Sequence, residues 1–194
     1  MRSVFTPIDH ESFPNTLKVS HTAQDWCGHS FTQLNRRGKG YELHQFSYFQ
    51  NEGDETIDLP IAMLEDELWN RIRLDLPVAT ESINLIPALD HIRMRHLITK
   101  AYEAKLTQDI DPTHPERKIT TVQYVGIDRN LRIVSERDFP HRILEWQETV
   151  SSGFGSKAKK LTTTATLSHT RNSAYWSENS KSDSSLRKEF GLQW

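Results

Sequence analysis

Side chains able to hold a metal or activate a nucleophile gather around the first hairpin, among them His21, Cys27, His29 and His44. The densest polar cluster is Trp26-Cys27-Gly28-His29. Zinc and copper accept thiolate and imidazole, so a hairpin that laid His29, Gln33 and His44 on one sheet face would offer donors to such a metal alongside Cys27. The spacing lacks the C-x-x-C or H-x-x-x-H pairs that present two ligands at once. A thiol nucleophile would need His29 or His21 as base. On a strand, Cys27 and His29 would share a face about 7 Å apart, beyond direct hydrogen bonding unless Gly28 bends the chain. The expected role of Cys27 is therefore a buried structural cysteine beside packed aromatics.

Carboxylates offer less. Glu65, Asp66 and Glu67 are consecutive on an expected helix, so they fan around it as a solvated acidic patch at its N-terminal end. Glu145 and Glu148 point to opposite faces of a strand, which disfavours a shared acid–base role. Gly38-Lys39 lacks the flanking residues of a phosphate loop, and Gly153-Phe154-Gly155-Ser156 does not match a nucleophile elbow. Arg36-Arg37, Arg71 with Arg73, and Arg93 with Arg95 read as sheet-edge or surface ion-pair residues.

The elements that must position these groups are mostly strands. Residues 29–50 hold two aromatic and β-branched runs around Arg37-Gly38-Lys39-Gly40, a hairpin signal in which glycine accepts the turn's backbone angles. Arg2 to Thr6 reads as a strand. Period-two alternation marks Ile98 to Ile110 and Lys160 to Thr170, the latter with a threonine-rich exposed face. A second hairpin joins Ile119–Ile127 to Leu131–Val134 through Asp128-Arg129-Asn130. Alternation continues through Leu144, Trp146 and Val150, and a mobile glycine–serine loop follows at 151–156. Leu64, Leu68 and Ile72 place a packing helix over Ala62 to Arg73. Leu186 and Phe190 share a second helical face ending at Gly191, after a loose polar segment at 177–185. A strand of ~13 residues at 98–110 exceeds the usual length and favours curvature. The fold class read from this pattern is mainly β: an antiparallel, strongly curved sheet or partial β-barrel with one or two short covering helices.

The chain has 194 residues, enough for a single domain spanning 1–194. Its 24 basic and 26 acidic residues give a net charge of −2 with no long run of either sign, so no nucleic-acid footprint is present. One cysteine excludes an internal disulfide and a Cys-only zinc site. No apolar run approaches the ~18 residues of a spanning helix, and residues 1–10 lack the apolar core of a signal peptide.

Several stretches, in this order, carry a resemblance: Pro14-Asn15-Thr16-Leu17-Lys18, Gln24-Asp25-Trp26-Cys27-Gly28, Phe46-Ser47-Tyr48-Phe49-Gln50 with Glu52-Gly53-Asp54, Leu64-Glu65-Asp66-Glu67-Leu68-Trp69, Phe139-Pro140-His141, and Ile143-Leu144-Glu145-Trp146 with Glu148. Together they resemble an uncharacterised bacterial envelope family of lipoprotein type whose members often carry the label septum formation inhibitor Maf. True Maf nucleotide pyrophosphatases differ, with a serine-rich, arginine-bearing N-terminal motif and an α/β fold that find no counterpart here. Members are longer at the N-terminus, with a lipoprotein-type signal and further strands, so the chain resembles their C-terminal two-thirds. The resemblance implies a location on the periplasmic side of the cell envelope.

The functional expectation is a non-catalytic binding or structural protein of the cell envelope, without a cofactor. Its binding surface is built by Trp26, His29, His44, Tyr48 and Trp146. The partner is an envelope component or a small apolar ligand. The alternative is a metal-dependent or thiol hydrolase using Cys27, His29 and His44. Nucleotide hydrolysis, which the Maf label implies, is not expected.

Overall fold

The computed structural model describes residues 1–78 and 81–192. It is mainly β, and its strands form two open sheets. The first is a meander of β1 (Arg2–Phe5), β2 (Lys18–Gln24), β3 (His29–Arg37), β4 (Gly40–Ser47) and β5 (Glu55–Pro60), in that spatial order and antiparallel throughout. The second contains β6 (Met63–Leu64), β7 (Glu81–Ile86), β8 (Tyr102–Ile110), β9 (Arg117–Tyr124), β10 (Arg129–Glu136), β11 (Ile143–Ser152) and β12 (Lys159–Thr166), again in sequential order. Among the described residues only β6 and β7 pair in parallel. Among the described residues neither sheet closes into a barrel or curves strongly. The long strand that favoured curvature is shorter than expected: β8 begins at Tyr102, and Ile98 stands exposed ahead of it.

Two short helices cover the sheets. Helix α1 (Leu68–Arg73) packs Leu68 and Ile72 onto the second sheet with Leu85, Leu106, Val122, Leu131 and Ile133. Helix α2 (Leu89–Arg95) packs Leu89 and Ile92 onto the first with Val19, Leu34, Tyr41 and Leu43. Fully burying side chains of this size contributes roughly 1.5–3 kcal/mol each. The C-terminal segment stays at the surface. Helix α3 (Leu186–Glu189) is short, Gly191 follows it at φ +67, and residues 177–185 are polar and largely exposed. They are not wholly irregular, because Lys181–Ser185 form a 3-10 turn capped by Ser180 and Asp183.

The expected helix over residues 62–73 starts late, and that changes the meaning of its acidic run. Met63 and Leu64 pair with Leu85 and Ile86 as β6, and Glu65–Glu67 form a 3-10 turn before α1. Leu64 belongs to the first core and Leu68 to the second, so the turn between them crosses the join of the two layers. Glu65, Asp66 and Glu67 are therefore only 1%, 2% and 3% exposed, not a solvated patch.

Burying three carboxylates is tolerable only if each finds a cation or donors. Glu65 receives Arg129 Nε at 2.8 Å and Nη2 at 2.5 Å, and the Tyr124 hydroxyl at 2.9 Å. Arg129, itself 4% exposed, also donates to Glu148 on β11. Asp66 receives Arg2 Nη1 of β1 at 2.6 Å and the Leu89 N–H at the start of α2 at 3.1 Å. Glu67 receives the Thr16 N–H at 3.3 Å and lies 3.8 Å from Arg71 of α1. One turn thus ties β1, the approach to β2, α2 and three strands of the second sheet together. Arg129, expected within a turn, instead opens β10 on the face shared by Leu131 and Ile133.

Two outcomes follow from this junction. Arg129→Met leaves Glu65 buried without its cation and costs about 3–5 kcal/mol in chemical denaturation, whereas the double variant with Glu65→Met is less destabilised than the single one. Burial, opposed by Arg2 and the Leu89 N–H, pushes the Asp66 carboxyl up to about 7. An unfolded aspartate releases its proton near about 3.9, so between those values the folded state holds the extra proton and stability falls as pH rises. The Tm of Asp66→Asn minus that of the wild-type chain should accordingly become more positive from about pH 4 to about pH 7; a flat or falling difference would contradict a protonated Asp66.

Candidate binding surface

The sequence-derived set does not converge on one point. In β3 the residues Ser30, Thr32 and Leu34 face inward, leaving His29 and Gln33 on the outer face. Gln33 stands opposite His44 of β4, so the register does place His29, Gln33 and His44 on one face. His29 is four residues from Gln33 along the strand, about 13 Å from the His44 row. His44 already bonds Glu42 at 2.9 Å and Thr56 at 3.2 Å. Cys27 is exposed in the β2–β3 loop, not buried, because that loop projects beyond the strand pairing instead of packing under it. Among the described residues no three His, Cys, Asp or Glu side chains form a group able to hold a metal ion. Trp146 lies on β11 in the other sheet, edge-on to Trp69 at 6.2 Å.

What the structure does bring together is a set of loops around the C-terminal end of α2. Arg93 donates from Nε to Ser30 at 2.8 Å, and from Nη2 to Asp25 at 2.5 Å and the Tyr48 hydroxyl at 3.3 Å. That one guanidinium joins the β2–β3 loop, the start of β3 and the end of β4. His96 ends the helix in the left-handed conformation, bonds Glu52 of the β4–β5 loop and packs edge-on to Phe49 at 4.7 Å. Arg95 donates to the Gly153 carbonyl at 3.0 Å and lies 4.8 Å from the Phe154 ring centre, which draws in the β11–β12 connection. The segment at 151–156 is thus bound to α2, where the sequence read as a free loop.

Trp26 rises from this surface fully exposed. Its loop is held firmly. Asp25 accepts the Cys27 N–H at 2.9 Å and the Gly28 N–H at 3.3 Å on one oxygen and Arg93 on the other, while its own N–H donates to the Gly28 carbonyl at 3.1 Å. The Arg93 guanidinium and these N–H groups keep the Asp25 carboxyl below the usual carboxylate range. Gly28 has φ +146, and a Cβ there would meet the Tyr48 ring at 2.7 Å, so Tyr48 packs directly over the glycine.

Beside the rim lies a cavity of about 220 Å³ walled by Asp90, His91, Met94, Arg95, Glu148 and Phe154. Burial and the nearby Arg129 charge lower the His91 imidazole to about 4, which leaves it neutral at physiological pH. Glu148 connects this cavity to the Arg129–Glu65 junction.

Sequence reasoning found Trp26 and Tyr48 but missed Asp25, Arg93, His96 and Phe154. Arg93 and Arg95 read as strand residues because α2 is only seven residues long. Its signals were Pro87 just ahead of it, Asp90 in the first turn and the Leu89–Ile92 spacing. Since Gly28 combines a left-handed φ with contact against Tyr48, Gly28→Ala should loosen the Trp26 loop. Amide hydrogen exchange at Cys27 and Gly28 should rise by at least tenfold while exchange in β10 stays unchanged; unaltered loop protection would show that Tyr48 yields and the loop is not so constrained. Compared with protein-family models, with curated proteins and with solved structures, the chain matches none of them.

Proposed function

We propose that the chain is a non-catalytic binding or scaffold protein that engages its partner through the rim of α2. The observation that carries this reading is Trp26, an indole fully open to solvent on a loop fixed by Asp25, Arg93 and Gly28. A rigid exposed tryptophan loses little conformational freedom on contact and brings a large apolar area with one N–H donor, the character of an interface anchor. Met94, 60% exposed, and Phe154, 64% exposed, add apolar surface from α2 and the β11–β12 connection. The polar groups whose types suit chemistry are engaged structurally: Asp25 with Arg93, His44 with Glu42, and Glu65 with Arg129.

The setting at the cell envelope rests on the sequence resemblance alone. With it, the partner is an envelope component or a small apolar ligand meeting Trp26, Met94 and Phe154. His29 adjoins the Trp26 loop on the outer face of the first sheet, while His44 lies about 13 Å further along that face, bonded to Glu42 and Thr56. Trp146, on the other sheet, belongs to a separate groove with Trp69.

The test uses isolated peptidoglycan sacculi and vesicles of phosphatidylethanolamine with phosphatidylglycerol as defined envelope probes. Cosedimentation with at least one of them is expected, weakened by tenfold or more in Trp26→Ala. The exposed residue should leave stability within about 0.5 kcal/mol of the parent. Phe139→Ala, at another fully accessible aromatic, serves as the control and should bind normally. Equal losses in both variants, or no binding by the unaltered chain, would defeat the proposal.

A further inference from the structure

Strand β12 forms an outer edge of the second sheet, and among the described residues no strand pairs with its free side. Such an edge is a template for another chain unless it is short, bent, covered or charged. The other edges have such protection: β1 has four residues, β6 has two, and β5 carries Glu55, Asp58 and Pro60. β12 has eight residues, is exposed along nearly all of its length and pairs with β11 without a register break. Its only charges, Lys159 and Lys160, sit at one end, followed by Leu161-Thr162-Thr163-Thr164-Ala165-Thr166.

We propose that β12 is a self-association edge, on which two copies of this chain pair antiparallel about a two-fold axis through Thr163 to make one continuous sheet. Directly opposed residues in an antiparallel pair share a face, so the axis must pass through a residue and not between two. About Thr163, Leu161 opposes Ala165 and Thr162 opposes Thr164 of the second copy, and Lys160 opposes Thr166, so no lysine faces a lysine. An axis through Thr162 would instead set Lys159 against Ala165.

Both faces of the joined sheet favour this register. Leu161 is 53% exposed and lies on the face that carries Trp146 and Val150, because it pairs with Val150 while Ala165 pairs with Trp146. Next to Ala165 is a groove of about 340 Å³ walled by Trp69, Trp146, Ala165 and Leu167. Leu161 of the second copy arrives beside that groove and removes its apolar wall from water. On the opposite face Thr166 neighbours Glu145 of β11, so Lys160 of the second copy approaches a carboxylate. The threonine ladder that begins with the 2.8 Å bond between Thr149 and Thr162 continues across the junction into Thr164 of the second copy.

Sedimentation of the full chain should show a concentration-dependent dimer. Thr163→Lys places like charges on the axis and should sediment as a monomer with an unchanged unfolding midpoint at high dilution, and an equimolar mixture of Thr163→Lys with Thr163→Glu should restore the dimer. In a Cys27→Ser background, Thr163→Cys should cross-link on mild oxidation, since opposed Cα atoms lie about 4.5–5.5 Å apart, within disulfide reach. Thr164→Cys should not, because it is offset from its own copy by two residues. A chain monomeric throughout the micromolar range, or Thr164→Cys linking as readily as Thr163→Cys, would overturn the proposal.

Discussion

The fold depends on the need to satisfy three carboxylates in its interior. A turn carrying Glu65, Asp66 and Glu67 passes between two hydrophobic cores, joining Leu64 of the first to Leu68 of the second. An unpaired buried carboxylate would cost several kcal/mol. Arg129 and Tyr124 must therefore meet Glu65, Arg2 and the Leu89 N–H must meet Asp66, and the Thr16 N–H must meet Glu67. These requirements set where the first sheet lies on the second. Apolar contacts hold each layer to its own helix, but they are not directional. Hydrogen bonds to fixed oxygens are, so the acidic turn supplies register where the cores supply most of the cohesion.

The exposed surface inherits that order. Helix α2 starts where the Leu89 N–H meets Asp66 and is capped by His96, so fixing its first N–H also fixes where Arg93, Arg95 and His96 emerge. Those three side chains then collect loops from both sheets. The Trp26 loop is ordered by Asp25 on Arg93, and the β11–β12 connection by Phe154 beneath Arg95. Glu148 reaches the same region from below through Arg129. A surface made of three loops can thus be rigid without a disulfide or a metal, since each loop is bonded to one short helix.

Much of this fold was legible in residue order. The first hairpin appears where alternation and glycine placed it, the second is present but turns over residues 125–128 with Arg129 and Asn130 already in β10, and the threonine row of β12 faces away from Leu161 and Ala165 as its period-two pattern requires. The opposite orientations of Glu145 and Glu148 follow equally from strand geometry: Glu145 meets Arg132 on the open face, and Glu148 meets Arg129 on the inner one. Misreadings arose where local pattern competed with long-range contact. Glu65–Glu67 look like the solvated start of an amphipathic helix, and no nearby residue reveals that Arg129, 64 positions later, neutralises the first of them. Yet Arg129, Leu131 and Ile133 share a strand face, and an arginine in phase with core residues was a usable sign of a buried ion pair.

The sequence by itself determined the class of fold, the strand polarity around its tight turns and the character of each strand face. Those properties come from side-chain periodicity and turn chemistry acting over a few residues. Only the tertiary structure decided that there are two sheets, that the acidic run lies between them and that Trp26 and Tyr48 gather at α2 while Trp146 does not. Those outcomes depend on which distant donor can reach each buried carboxylate and on which loops one seven-residue helix can bind at once. Such conditions arise from packing the whole chain, and no local spacing encodes them.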